Sequence, residues 1–96
     1  MLRFDWDPDK AAVNEKKHGV RFPEAATAFG DPLSITIPDP AHSIGEARLI
    51  LVGLSYLGRL VVVAHAETDD SIRIISARLA TNAERRSYEQ QERAGP

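Results

Sequence analysis

The sequence predicts an α+β domain with two N-terminal helices, a four-stranded antiparallel sheet built as a meander, and a C-terminal helix. Three observations predict it. Asp7-Pro8 and Gly19 bracket a first helical segment. Three successive stretches rich in branched apolar residues are separated only by Tyr56-Leu57-Gly58 and Thr68-Asp69-Asp70, and Thr81-Asn82-Ala83-Glu84 forms a capping box that opens a last helix.

In chain order, the first helix spans Pro8 to His18, with Asp7 as its N-cap, Pro8 at the first helical position and Gly19 as a left-handed stop. Phe4 and Trp6, just before it, read as core or helix-packing residues. A second, short helix runs from Pro23 to Phe29, where Ala25, Ala26, Ala28 and Phe29 supply small apolar positions before Gly30-Asp31-Pro32 ends it. Leu33 to Ile37 reads as an edge strand, followed by a polar loop from Pro38 to Gly45. Strands are expected over Ala47 to Ser55, Arg59 to Glu67 and Ser71 to Leu79, and connectors this short permit only antiparallel neighbours. The last helix runs toward Arg93. Residues 1–93 thus form one domain, with 94–96 as a short tail.

Composition narrows the function classes. The 96 residues contain no Cys, which excludes disulfides, a thiolate nucleophile and Cys-ligated zinc. The longest apolar run, Leu60 to Ala64, is far below the ~20 residues that span a bilayer, and Met1-Leu2-Arg3-Phe4-Asp5 lacks an apolar signal core, so a cytoplasmic location without membrane contact is expected. His42, in a loop with Asp39 and Glu46, shows no metal-ligand spacing, and neither metal nor cofactor is expected.

The net charge of -2 argues against a uniformly basic nucleic-acid coat. Its distribution is uneven, however. Phe22 to Ala47 holds Glu24, Asp31, Asp39 and Glu46 with no Lys or Arg, whereas Arg48 to Arg86 contains six Arg. Arg presents a planar donor fork that matches phosphate or carboxylate bidentately.

Strand register decides which of these side chains meet. A two-residue turn after Tyr56 sets Val52 opposite Val63, Ile50 opposite His65 and Arg48 opposite Glu67. A loop of Thr68 to Asp70 sets Glu67 opposite Ser71 and His65 opposite Arg73. Arg48, His65, Glu67 and Arg73 then gather at one end of a face that also carries Ile50, Val52, Val61, Val63, Ile75 and Ala77. The other face, with Leu49, Leu51, Leu60, Val62, Ala64, Ile72 and Ile74, is apolar until Ser76 and Arg78, and the helices are expected to cover it.

Two chemistries fit that cluster. His65 can exchange a proton near neutrality while two Arg hold a phosphate and stabilise added negative charge. Alternatively, Arg48 and Glu67 form a cross-strand ion pair with His65 hydrogen-bonded beside it, and the residues alone favour this second reading. Lys16, Lys17 and His18 complement the negative end of the first helix. Arg85, Arg86 and Tyr88 in the last helix offer contacts to phosphate and a base, or a solvated face with Tyr88 as its core anchor.

Taken in order, Phe4-Asp5-Trp6-Asp7, Lys10, Asn14, Lys17-His18-Gly19-Val20, Phe22, Ala25, Phe29-Gly30-Asp31-Pro32, Gly45-Glu46, Gly58 to Val63, His65, Arg73 to Arg78, Ala80-Thr81, Glu84-Arg85-Arg86 and Tyr88-Glu89 resemble the BrnT family over nearly the whole chain. The resemblance implies a RelE-like fold and the toxin component of a bacterial type II toxin–antitoxin module. It also implies a metal-independent ribonuclease that cleaves RNA by 2′-hydroxyl attack and inhibits translation. A BrnA-type ribbon-helix-helix antitoxin is the implied partner, in a 2:2 heterotetramer, with operator DNA reached only through it. On this reading Arg48, Arg73 and Arg78 bind phosphate and transition-state charge, and His65 or Glu67 transfers a proton. Lys17, His18, Arg85 and Tyr88 extend the RNA surface. A reading from another class stays open, in which the domain is catalytically weak and acts through antitoxin binding and operon co-repression. The acidic total supports that reading, and the Arg48, His65, Arg73, Arg78 set opposes it.

Overall fold

The structure, a computed structural model, describes residues 3–39 and 47–94. Helix α1 covers Pro8–His18 as expected, because both ends are satisfied locally. The Asp7 carboxylate accepts from the backbone N–H of Asp9 at 2.8 Å and of Lys10 at 3.4 Å, and Gly19, at φ 70°, donates to the Glu15 carbonyl at 2.8 Å. The second helical segment divides into α2 (Phe22–Thr27) and a 3-10 turn (Ala28–Gly30). Strands β2 (Ile35–Pro38), β3 (Arg48–Leu54), β4 (Leu60–Glu67) and β5 (Ser71–Leu79) form the expected meander, and α3 spans Asn82–Ala94. Of the expected polar loop, residues 40–46, including His42 and Glu46, lie outside the described residues, as do residues 95–96 of the expected tail.

The sheet has five strands rather than four, and it is mixed. Arg3–Asp5 forms β1, parallel to β5 with Phe4 opposite Ile72, giving the order β1-β5-β4-β3-β2. Three residues are too few for a period-2 signal, and a parallel partner is reached only through a long crossover, here the rest of the domain. Because β1 covers only Ser71–Arg73 of β5, α1 takes over the remaining edge. The Asn14 carboxamide donates to the Ala77 carbonyl at 2.8 Å and to the Val20 carbonyl at 3.0 Å, and accepts from the Ala77 N–H at 3.0 Å.

Helices α1 and α2 and the 3-10 turn lie over one face of the sheet. Val20, Phe22, Ala25 and Ala28 meet Leu51, Val61, Val63, Ile74 and Ala77, all 3% exposed or less. Burying a side chain such as Phe22 contributes roughly 1.5–3 kcal/mol. Gly53 is needed for this approach, since a Cβ there would lie 2.9 Å from the Ala28 carbonyl oxygen. An aromatic seam closes the layer, with Trp6 edge-on to Phe22 at 5.9 Å and Phe4 edge-on to Phe29 at 5.2 Å.

Register is where expectation and structure part. The β3–β4 turn contains three residues, Tyr56-Leu57-Gly58, with Gly58 at φ 76° and the Ser55 N–H donating to the Arg59 carbonyl. Val52 therefore opposes Val62, Ile50 opposes Ala64 and Arg48 opposes Ala66. The β4–β5 turn is one residue tighter than expected, with the Thr68 N–H donating to the Ser71 carbonyl, so Glu67 opposes Ile72 and Ala66 opposes Arg73. Both miscounts move β4 alone. Arg48 and Arg73 stay on one face, while Val61, Val63, His65 and Glu67 turn to the helix-covered face. A bulge then interrupts the β4–β5 ladder, because Ala64 opposes Ser76 whereas His65 opposes Ile74. Ile75 is the extra residue, and it reverses the alternation of β5 beyond it.

Candidate functional site

That reversal brings Arg78, expected on the other face, onto the face of Arg48 and Arg73. Arg48, Ala66 and Arg73 form one row across three strands, and Val52, Val62 and Arg78 form another. The outer Arg of the first row stand two strand spacings apart, about 10 Å, and the second row lies four residues along β4, about 13 Å away. Ala64, Ala66 and Ser76 keep the surface between them low. The result is a sheet face bordered by three guanidinium groups, with Asp5 in register beside Arg73, an arrangement suited to an extended polyanion rather than an enclosed small molecule.

Arg78 is held bidentately by Glu84, with Nη1 to Oε1 at 2.8 Å and Nη2 to Oε2 at 2.9 Å. Glu84 also closes the expected capping box, accepting from the Thr81 N–H at 2.8 Å while the Thr81 hydroxyl accepts from the Glu84 N–H at 3.2 Å. The Arg78 guanidinium is the main cause holding the Glu84 carboxyl down to about 2, against an opposing effect of burial. Beside this pair, Ile35, Ile37, Ile50 and Val52 line a groove of about 300 Å³ under α3.

Tyr88 anchors the helix. It is 7% exposed, and its hydroxyl donates to Asp31 Oδ2 at 2.6 Å, so the structure places it inside, where the core-anchor reading put it. Burial raises the Asp31 carboxyl, but hydrogen bonds from Tyr88 and from the Leu54 and Leu33 N–H groups outweigh it and the net shift is downward. Arg85 is exposed on α3.

His65 and Glu67 do not join the arginines. His65 is fully buried beneath the 3-10 turn, edge-on to Phe29 at 4.8 Å, with Nδ1 3.1 Å from the Val63 carbonyl and Nε2 3.1 Å from Glu67 Oε2. The expected cross-strand pair of Arg48 with Glu67 is replaced by this contact within β4, because Arg48 opposes Ala66. Lys17 and His18 lie on a groove between α1 and β5, the strand that also carries Arg73 and Arg78.

Three polar groups hold joints that sequence reasoning did not assign to them. Glu24, 4% exposed, accepts from both Nε and Nη2 of Arg59 and from the Ser55 hydroxyl, while Arg59 also donates to the Gly19 carbonyl at 3.1 Å. The Arg59 hydrogen bonds hold the Glu24 carboxyl below its usual range despite burial. This network bolts the β3–β4 turn to α2, and Asn14 and Asp31 act similarly at other joints. Only the solitary polar residue in an apolar stretch signals such a role in a sequence. Among the described residues no cluster suited to a metal ion occurs, and no helix is long and apolar enough to cross a membrane.

Residues 6–84 match the family described as ribonuclease toxin, BrnT, of type II toxin-antitoxin system. Among solved structures, the chain is similar to the 1.1 Å crystal structure of the Brucella abortus ribonuclease toxin, BrnT, with a TM-score of 0.66 and 21% sequence identity, covering 85% of this chain and 100% of that one. At that identity the likeness speaks for the fold. Comparison with curated protein sequences gives no match.

Proposed function

This chain belongs to the BrnT family of ribonuclease toxins of type II toxin–antitoxin systems, and from that membership we propose that it is an endoribonuclease that works without a metal ion and inhibits translation. The ribose 2′-hydroxyl attacks the adjacent phosphorus in line, a 2′,3′-cyclic phosphate forms, and the 5′-oxygen leaves with a proton. The observation that carries this reading is the bulge at Ile75, which gathers Arg48, Arg73 and Arg78 on the sheet face away from α1 and α2. Guanidinium groups fixed on strands can neutralise the charge that builds on the phosphorane oxygens without reorganising.

The buried position of His65 supports a positioning role for it and Glu67, bracing the β4 end from beneath, rather than the proton transfer that the resemblance implied. Arg85, exposed on α3, extends the RNA surface, while Tyr88 holds α3 in place. A type II module supplies an antitoxin partner. A dimeric ribbon-helix-helix antitoxin of BrnA type would give a 2:2 assembly and carry the toxin to operator DNA.

One observation favours a catalytically weaker module acting through its antitoxin: Arg78 already holds a carboxylate bidentately. Cleavage of purified RNA in EDTA separates the two readings. The wild type is expected to cut, and Arg73→Ala to lose about 10²–10³ in kcat, the usual consequence of deleting one charge-stabilising donor. RNA left intact by the wild type under all conditions, with antitoxin binding preserved, would establish the interaction module instead.

A further inference from the structure

We propose that the groove between α1 and the β5 edge is a second RNA subsite, which holds the strand beyond the scissile nucleotides. The inference rests on the ribonuclease reading and extends it from a cleavage centre to a strand path. The groove, about 350 Å³, is lined by Lys10, Val13, Lys17 and His18 from α1 and by Ile75 and Ser76 from β5.

Positions 10, 13, 14, 17 and 18 form one stripe of α1, the spacing that in a helix lying on a sheet is normally apolar. Here the only buried residue of α1 is Asn14, spent on the β5 edge, and Val13 is 65% exposed. Packing therefore does not account for the stripe. Its cations, Lys10 and Lys17, outnumber the one carboxylate on the lining, Asp9. Val13 and Ile75 make part of the lining apolar, Lys10 and Lys17 can meet phosphates, and His18 offers a ring on which a base can stack.

Continuity with the arginine face comes from the bulge. Ser76 opposes Ala64 on the floor between the arginines, and it also lines this groove, while Ile75, the bulged residue, faces α1. A single strand crossing Ser76 thus passes from the Arg48–Arg73 row toward Lys10 and Lys17, with Asp5 in register beside Arg73 and Asp9 on the groove lining as the acids along that path. An acidic protein segment would meet the same cations, but not the requirement that the path begin at the cleavage centre.

The test compares a trinucleotide with a 12-nucleotide RNA, using wild type and the Lys10→Ala/Lys17→Ala double variant, whose substitutions are on an exposed helix surface. Binding is measured on 2′-O-methyl versions, which cannot be cleaved, and kcat and KM on the natural ones. For the long RNA, affinity is expected to fall about tenfold, with KM rising in step, and the slope of log K against log salt to lose about 1.4 units, the share of two phosphate contacts to a single strand. For the trinucleotide, the loss in affinity and in kcat/KM is expected to be a small fraction of that seen with the long RNA. Val13→Asp should reproduce the length-selective loss.

Unchanged long-RNA affinity, or an equal loss on both lengths, overturns the subsite. So does a loss seen only in antitoxin binding, which would make the groove a protein-docking surface. If the wild type neither binds nor cuts either RNA, the ribonuclease reading fails and the subsite with it. If wild type and variant cut both lengths alike, the subsite alone fails.

Discussion

Asn14 supplies the β5 edge with the donor and acceptor that a further strand would provide. Its three hydrogen bonds, at 2.8 to 3.0 Å, join α1, the start of the segment after Gly19, and Ala77. Removing the carboxamide leaves a buried backbone N–H and carbonyl at Ala77 unsatisfied, so Asn14→Ala is expected to cost about 2–3 kcal/mol in urea unfolding with an unchanged m-value. Asn14→Asp should be worse at neutral pH, because a carboxylate would face the Val20 and Ala77 carbonyls with no donor to offer them. If the two variants rank the other way, the edge-capping role is wrong. Asn14 illustrates how far residue reading reaches: it stood out in the sequence only through the family resemblance, since nothing local to it names a partner 63 positions away.

Helix α3 is attached through a few specific contacts at its N-terminal half. The Arg78–Glu84 pair joins it to β5, the Tyr88–Asp31 bond joins it to the segment before β2, and the capping box fixes its first turn. The Glu84 carboxyl is lowered to about 2 from an ordinary 4.5, so its contribution is complete above about pH 4.5 and is lost as the pH falls from there toward 2. Because the pair is partly exposed, its worth is discounted to roughly 1 kcal/mol. Glu84→Gln should therefore be destabilised by about that amount at pH 7 and show a shallower fall in stability between pH 4.5 and 2 than the wild type. An identical acid limb in both proteins would show that Glu84 contributes nothing there. The capping box was legible because Thr81 and Glu84 are three residues apart; that Glu84 also grips Arg78 was not, because it depends on which face Arg78 occupies.

For the molecule as a whole, the net charge of -2 conceals a division of labour. Glu24 in the acidic middle segment is consumed internally by Arg59, and Asp31 by Tyr88 and two backbone N–H groups, so neither acid opposes the arginine face as an unpartnered charge. RNA binding should accordingly be strongly salt-dependent despite the acidic total. Three arginine contacts to a single strand give a slope of log K against log salt of about -2, and the Lys10 and Lys17 contacts deepen it to about -3.5. A slope near zero, measured by fluorescence anisotropy on uncleavable RNA, would mean that phosphate contacts do not drive the interaction.

The sequence by itself determined the elements. Caps at Asp7, Gly19 and Thr81, the apolar alternation of β3 to β5 and the short connectors are local signals, and local hydrogen bonding and sterics enforce them. It did not determine β1, whose three residues become a strand only because β5 offers an edge. Above all, tertiary structure decided which side chains share a face. Side chains alternate with a period of two, so one residue more in the Tyr56–Gly58 turn, one fewer in the next, and one bulged residue at Ile75 sufficed to bury His65 and to bring Arg78 beside Arg48 and Arg73. Each of those single-residue choices is settled by packing against the helices, which no local stretch of sequence encodes.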